Sequence, residues 1–379
     1  MAKAKQWSAT IAIILGVTGF SPMVQAGNWW ETVSVKGDLR YRHEMIDEQD
    51  KDARHRHRLR ARLGIFGEVS PYTKVGIQLA TGSDDPVSTN QTLDDAFSTK
   101  RVGVDRAYFE AYHGKLPGLT VAGGKFDNPF FKPGKSELIW DSDWNPEGGT
   151  ANFTRDFDNL TLTLIGAGLW IDERSTAGDS WLAAGQGVVR FRFSDQKSSV
   201  ALGASFFNYA NTQGFTPFHD PEDAYGNSVT TVMDVEDSDT TYFDLYSDDY
   251  DLFEVFGEFT HSFEKIPVTV MADYVNNTAV DSLGTGWLVG FHVGKAKKPG
   301  SWELRYIYRE VEADAVVGIF TDSDFRGGGT DARGHEFGGG LQLADNTTFN
   351  VTYFINEIGL QAEEGEDFNR LQVDLQLKF

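Results

Sequence analysis

The last nine residues, Leu371-Gln372-Val373-Asp374-Leu375-Gln376-Leu377-Lys378-Phe379, carry an apolar side chain at every odd position and a polar one at every even position. An extended strand points successive side chains to opposite faces, so this period-two pattern gives one greasy face and one hydrophilic face. The pattern runs to the terminal residue, which constrains the chain to end inside a sheet whose one face meets an apolar medium.

The same alternation recurs along the chain. Sixteen segments are expected, at about 32–43, 55–69, 73–82, 101–112, 119–127, 150–157, 160–171, 181–193, 199–209, 252–263, 268–276, 285–294, 301–312, 334–344, 347–356 and 368–379, separated by turn residues. Connections after even-numbered segments are short, such as Ser70-Pro71, Asp158-Asn159 and Asp345-Asn346. Those after odd-numbered segments are mostly long, the longest at 210–251. Soluble sandwiches and propellers have no reason to sort their loops this way. A membrane barrel does, with short turns inside and long loops outside. The expected fold is therefore all-β: a transmembrane antiparallel barrel of sixteen strands. Trp287, Val289, Phe291 and Val293, and likewise Phe349, Val351, Tyr353 and Ile355, would face lipid. Residues 160–171 are apolar on both faces near their end, which leaves their register open.

The amino terminus supports export. Lys3 and Lys5 precede an apolar run over 9–20 that is too short to span a bilayer, and Val24-Gln25-Ala26 suits a signal peptidase. Residues 1–26 are expected to be a signal peptide and 27–379 the barrel. There is no cysteine, which excludes disulfides and thiolate chemistry. A net charge of −22 argues against nucleic acid, whose phosphates need a basic surface. The mean hydropathy is negative, as in a barrel where only alternate residues meet lipid.

The sharpest internal pattern is an arginine ladder. Arg54, Arg56, Arg58, Arg60 and Arg62 occupy even positions, and Leu59, Ala61, Leu63 and Ile65 the odd ones between and beyond them. Arg40 and Arg42 share the parity of the first segment's polar face. In hydrocarbon each arginine would cost about 2–4 kcal/mol at mid-depth, so the ladder belongs in the lumen. It reads either as a positive pore wall drawing anions, for which Arg40, Arg42, Arg56, Arg58, Arg60 and Arg62 are the candidates, or as cations paired with acids such as Asp38, Glu110 or Asp374. His55 and His57 fall on the opposite face.

The connection at 127–149 is long, aromatic and acidic, with Glu137, Asp141, Asp143 and Glu147. Loop 210–251 is also rich in Asp and Glu but lacks a calcium-loop pattern, and is read as solvated and facing lipopolysaccharide.

The closing strand resembles the assembly signal of Gram-negative outer-membrane barrels. Pro146-Glu147-Gly148-Gly149 resembles a shortened Pro-Glu-Phe-Gly-Gly loop motif of general porins. Gly124-Lys125-Phe126-Asp127-Asn128-Pro129-Phe130 is similar to the strand-to-loop segment of phosphate-selective and "putative" porins. These resemblances imply an outer-membrane porin whose third loop folds inward as a constriction, with Glu137, Asp141, Asp143 and Glu147 facing the arginines. They also imply passive diffusion of small polar or anionic solutes, contact with outer-membrane lipid and lipopolysaccharide, and a homotrimer. No cofactor, metal or catalytic residue is expected. Gly-x-Ser-x-Gly, His-Glu-x-x-His and phosphate-binding glycine motifs are absent. An adhesin or structural barrel is the alternative, and an outer-membrane hydrolase a lesser one.

Overall fold

The computed structural model describes residues 29–236, 239–362 and 365–379; the expected signal peptide lies outside them. Sixteen strands close into one antiparallel barrel, each paired with its sequence neighbours. They are β1 Ser34–Glu48, β2 Arg54–Ser70, β3 Thr73–Thr81, β4 Val102–Tyr112, β5 Leu119–Lys125, β6 Glu147–Phe157, β7 Leu160–Asp172 and β8 Ser180–Arg192. The second half contains β9 Ser198–Ala210, β10 Asp251–Phe263, β11 Ile266–Asn277, β12 Thr285–Gly294, β13 Trp302–Val311, β14 Ala332–Ala344, β15 Thr347–Ile358 and β16 Glu366–Lys378. The barrel closes where β16 pairs with β1, from Asp38 opposite Lys378 to Glu48 opposite Phe368. Closure is what lipid demands, because an open edge would leave backbone groups without hydrogen-bond partners.

Two further elements add to the sixteen strands, the first joined to the barrel sheet and the second separate from it. Gln91–Thr92 pairs with Leu59 and Arg58, and Val229–Glu236 forms a hairpin with Asp239–Tyr246. The loops sort by end. Two-residue turns at 71–72, 158–159, 264–265 and 345–346 mark one rim, and the long loops 82–101, 126–146, 211–250 and 312–331 mark the other. No helix among the described residues is long and apolar enough to cross a membrane.

The outer face carries the odd residues of β1, β2 and β16, including Leu39, Tyr41, Leu63, Ile65, Leu375 and Leu377, with Phe379 beyond the end of β16. His43 stacks on His55 there at 5.6 Å between ring centroids and meets His57 at a tilt at 4.9 Å.

The packed core lies inside the lumen. Phe130, Leu138, Ile139, Trp140 and Trp144 of loop 126–146 are buried with Phe207 of β9, Phe218, Tyr246 and Tyr250 of loop 211–250, and Val316, Val317, Ile319 and Phe320 of loop 312–331. Trp140 stacks on Trp144 at 4.2 Å, and Phe130 meets Phe207 edge-on at 5.0 Å. This core explains β7: Leu164 and Trp170 face out, while Ile165 and Leu169 are buried against the loops. A strand between lipid and an apolar plug has no polar face to show. Loop 211–250, expected to be solvated, instead contributes three buried aromatic rings to this core.

Candidate functional site

The arginine wall follows from β1–β2 pairing. Arg60 lies opposite Arg40, Arg58 opposite Arg42, Arg56 opposite Glu44, and Arg62 opposite Asp38. Two of these four pairs set like charges face to face, which destabilises a sheet unless acids intervene. Acids arrive from four directions. Asp38 accepts from Arg60 at 3.0 Å and from Arg62 at 2.7 Å. Glu44 binds Arg56 and lies 3.7 Å from Arg58. From the closing strand, Asp374 accepts from Arg42 Nε at 2.7 Å and Nη2 at 2.9 Å. From the loops, Asp143 lies 3.4 Å from both Arg60 and Arg62, and Asp324 accepts from Arg42 at 3.1 Å and Arg370 at 3.0 Å.

The wall thus holds seven arginines, Arg370 included, against five carboxylates. The two most loosely engaged are Arg40, bonded to Asn90 at 2.7 Å and 4.0 Å from Asp374, and Arg58, bonded to Ser88 at 3.4 Å. Arg54, at the rim, is exposed. Glu110, a candidate acid partner from the sequence, bonds Tyr112 instead.

Loop 126–146 crosses the lumen. At one end, Phe131 N donates to Gln186 Oε1 at 2.7 Å, and Gln186 Nε2 returns a bond to Phe131 O at 3.0 Å. Gly134 N donates to Glu258 at 2.9 Å, and Ser136 donates to Asp273 at 3.2 Å. These bonds fix the loop to β8, β10 and β11; Asp143 fixes its far end to β2.

The four acids expected to face the ladder part company. Only Asp143 reaches it. Burial alone would raise its carboxyl, but Arg60 and Arg62 outweigh that and hold it below the usual range. Glu137 and Asp141 turn towards Asp322 of loop 312–331, their carboxylate oxygens within 4.8 Å of one another. Burial and the neighbouring acids push Asp141 well above its usual value and raise Glu137 too. Glu147 opens β6 and pairs with Lys125 at 3.1 Å, away from the wall. The glycines after it are strand residues: a Cβ on Gly148 would sit 2.3 Å from the Gly168 carbonyl oxygen.

Loop 312–331 is the part that sequence reasoning missed. Asp141 N donates to Phe320 O at 2.8 Å, Thr321 Oγ1 to Leu138 O at 2.9 Å, and Ser323 N to Asp141 Oδ2 at 2.8 Å. Asn227 stitches it to loop 211–250, donating to Ala313 O at 2.6 Å and Val316 O at 2.8 Å. Its Asp322 pairs with Arg309 at 2.7 Å, and burial of Asp324 is outweighed by Arg42 and Arg370, which hold that carboxyl low. The available signal was the apolar run Ala315-Val316-Val317-Gly318-Ile319-Phe320, which a solvated loop has no reason to carry.

No curated protein matches the chain in sequence. Solved structures match its fold. Pseudomonas putida OprB aligns with a TM-score of 0.59 at 10% identity, covering 92% of this chain and 95% of that one. Salmonella typhi OmpF, solved in complex with daunomycin, aligns with a TM-score of 0.55 at 10% identity, covering 92% and 97%. The family model described as "Putative porin" matches residues 40–379, and the chain belongs to that family: it is a porin-type outer-membrane channel.

Proposed function

We propose that small hydrophilic solutes diffuse passively through this barrel, with a preference for anions set by the β1–β2 wall. The observation that carries the reading is the surplus of arginine over carboxylate there, with Arg40 and Arg58 least engaged. A fixed positive wall beside a wet passage raises the local concentration of anions. In this reading Arg40, Arg42, Arg56, Arg58, Arg60 and Arg62 line the path, and loop 126–146 narrows it, Asp143 facing the ladder and Glu137 and Asp141 behind it. Diffusion downhill needs no cofactor and no catalytic group.

The test is the reversal potential in a KCl gradient across a planar bilayer. Chloride preference is expected, and Arg40→Gln with Arg58→Gln should weaken it. Unchanged selectivity would overturn the wall's role. The apolar core filling the lumen favours a second reading, a non-conducting structural barrel or adhesin; absence of conductance in the unaltered protein would decide for it.

The protein is also proposed to be a homotrimer. Strand β5 has seven residues, about 23 Å before tilt, against an apolar band of about 25 Å. Lipid cannot cover what lies above so short a strand, and a second copy can. Phe97 on loop 82–101 projects fully exposed, as a contact residue would. Migration in unheated detergent gels reads the assembly directly. The loop rim, in this arrangement, faces lipopolysaccharide.

A further inference from the structure

The paired strands set one inward-facing residue from each into a continuous row. Thr260 of β10 lies opposite Thr269 of β11, which lies opposite His292 of β12, and His292 lies opposite Arg305 of β13. The row continues through Gly338 and Thr352 to Gln372, then Glu44 and Arg56. It starts near the short-turn end of β10 and finishes near the long-loop end of β2, so it climbs the inner wall as a ramp. Adjacent strands lie about 4.8 Å apart, which puts consecutive side chains of the row within reach of one small molecule.

A cavity of about 730 Å³ lies along the lower part of this ramp, roofed by the tip of loop 126–146. That volume suits a small solute. Six cations line it: Arg40, Lys132, Lys135, Arg190, Lys295 and Arg305. The three lining carboxylates are already engaged: Asp374 by Arg42, Glu258 by Arg190 and Gly134 N, and Glu303 by Ala296 N. In a chain of net charge −22 this is an island of positive charge. Lys135 is exposed to the cavity and forms no ion pair among the described residues. His292 Nε2 is buried without a hydrogen-bond partner. Arg305 shares Glu336 with Arg309. Between these cations stand neutral hydrogen-bonding groups, the hydroxyls of Thr260, Thr269 and Thr352 and the amides of Asn350 and Gln376.

We infer that this cavity is a binding site for a small hydroxylated anion of the sugar-acid class. Lys135, His292 and Arg305 hold its carboxylate, and the threonine and amide groups hold its hydroxyls. An inorganic oxyanion would satisfy the cations and leave the neutral groups idle; a neutral sugar would do the reverse. The site rests on the channel reading above and gives it a solute class. It is distinct from the arginine wall, whose members apart from Arg40 lie outside the cavity.

The full-length protein, reconstituted in planar bilayers in KCl, is titrated with glucuronate, glucose and inorganic phosphate. Glucuronate should reduce the current saturably, while glucose and phosphate should each need at least about tenfold higher concentration. Lys135→Gln with His292→Gln should raise the half-blocking concentration of glucuronate about tenfold, and Lys135→Arg alone should leave it close to that of the unaltered protein. Phosphate acting as well as glucuronate overturns the hydroxylated class, and glucose acting as well overturns the cationic anchor. A conducting protein that glucuronate does not block loses this site but keeps its channel function. A protein that does not conduct loses the channel function, and calorimetric titration of glucuronate into the detergent-solubilised protein then decides the site alone.

Discussion

Arg42 on the first strand and Asp374 on the last face each other across the seam that closes the barrel, joined by two hydrogen bonds of 2.7 and 2.9 Å. Both side chains are largely withdrawn from water, at 5% and 11% exposure. Removing one partner of such a pair strands the other charge. Asp374→Asn should therefore lower barrel stability by about 3 kcal/mol, measured by urea unfolding in lipid vesicles. A change near zero would mean that Asp324 alone satisfies Arg42.

Trp140 is 2% exposed and stacks between Trp144 and Phe130 in the lumen. Trp140→Ala opens a void worth about 3–5 kcal/mol of packing in the loops. Single-channel conductance should rise and become noisier as loops 126–146 and 312–331 loosen. Conductance identical to that of the unaltered protein would show that this core lies outside the ion path.

Asp141 gives the loop docking a pH dependence. Burial and neighbouring acids raise its carboxyl well above the usual 3.8. A raised carboxyl contributes stability that is fully present below pH 3.8 and is lost as pH rises through its folded-state value. Acid should therefore tighten the docking of loop 312–331 and lower conductance, until pH falls far enough to protonate Asp143 and Asp324, whose lowered carboxyls act in the opposite sense. Asp141→Asn removes the charge while its amide oxygen still accepts a backbone bond. Its conductance should fall less across the range in which that of the unaltered protein falls, Glu137 of the same cluster still being raised in the same sense.

Gly134 holds a left-handed conformation at φ 55° at the tip of loop 126–146. A Cβ there would lie 1.8 Å from Met271 Sδ on β11. Gly134→Ala adds a left-handed penalty of about 1–2 kcal/mol to that clash. The loop tip should lift from the wall and become susceptible to added protease. A tip as resistant as before would show that Met271 moves aside at no cost.

The barrel was legible because its strands meet two media. In β12 the outward row Trp287, Val289, Phe291 and Val293 alternates with smaller or inward residues, and that alternation gives the bounds 285–294 directly. β1 runs on to Glu48, beyond the expected end at 43, because pairing continues with β2 to Ile46 and with β16 to Glu48, where the outward His43 and Asp47 interrupt the apolar row around Met45. β6 starts at Glu147 rather than 150 because its glycines read as loop while they pair with Gly123 and Gly124. The lumen was harder. Arg42 and Asp374 were placed on adjoining walls by parity alone. Asp324 was invisible, because nothing local tells a carboxylate in a long loop that an arginine pair waits across the barrel.

The seam also sets an order of events in biogenesis. A barrel still open between β1 and β16 would leave Arg40 and Arg42 beside a gap through which lipid could reach them. Until β16 arrives, Arg42 has only Asp324 and Arg40 only Asn90 to offset a cost of about 2–4 kcal/mol each at mid-depth. Asp374 adds its two hydrogen bonds to Arg42 only when the last strand arrives. Insertion and closure are then expected to be coupled, and a chain truncated before residue 374 to be penalised at its first strand, far from the cut in sequence but next to it in space.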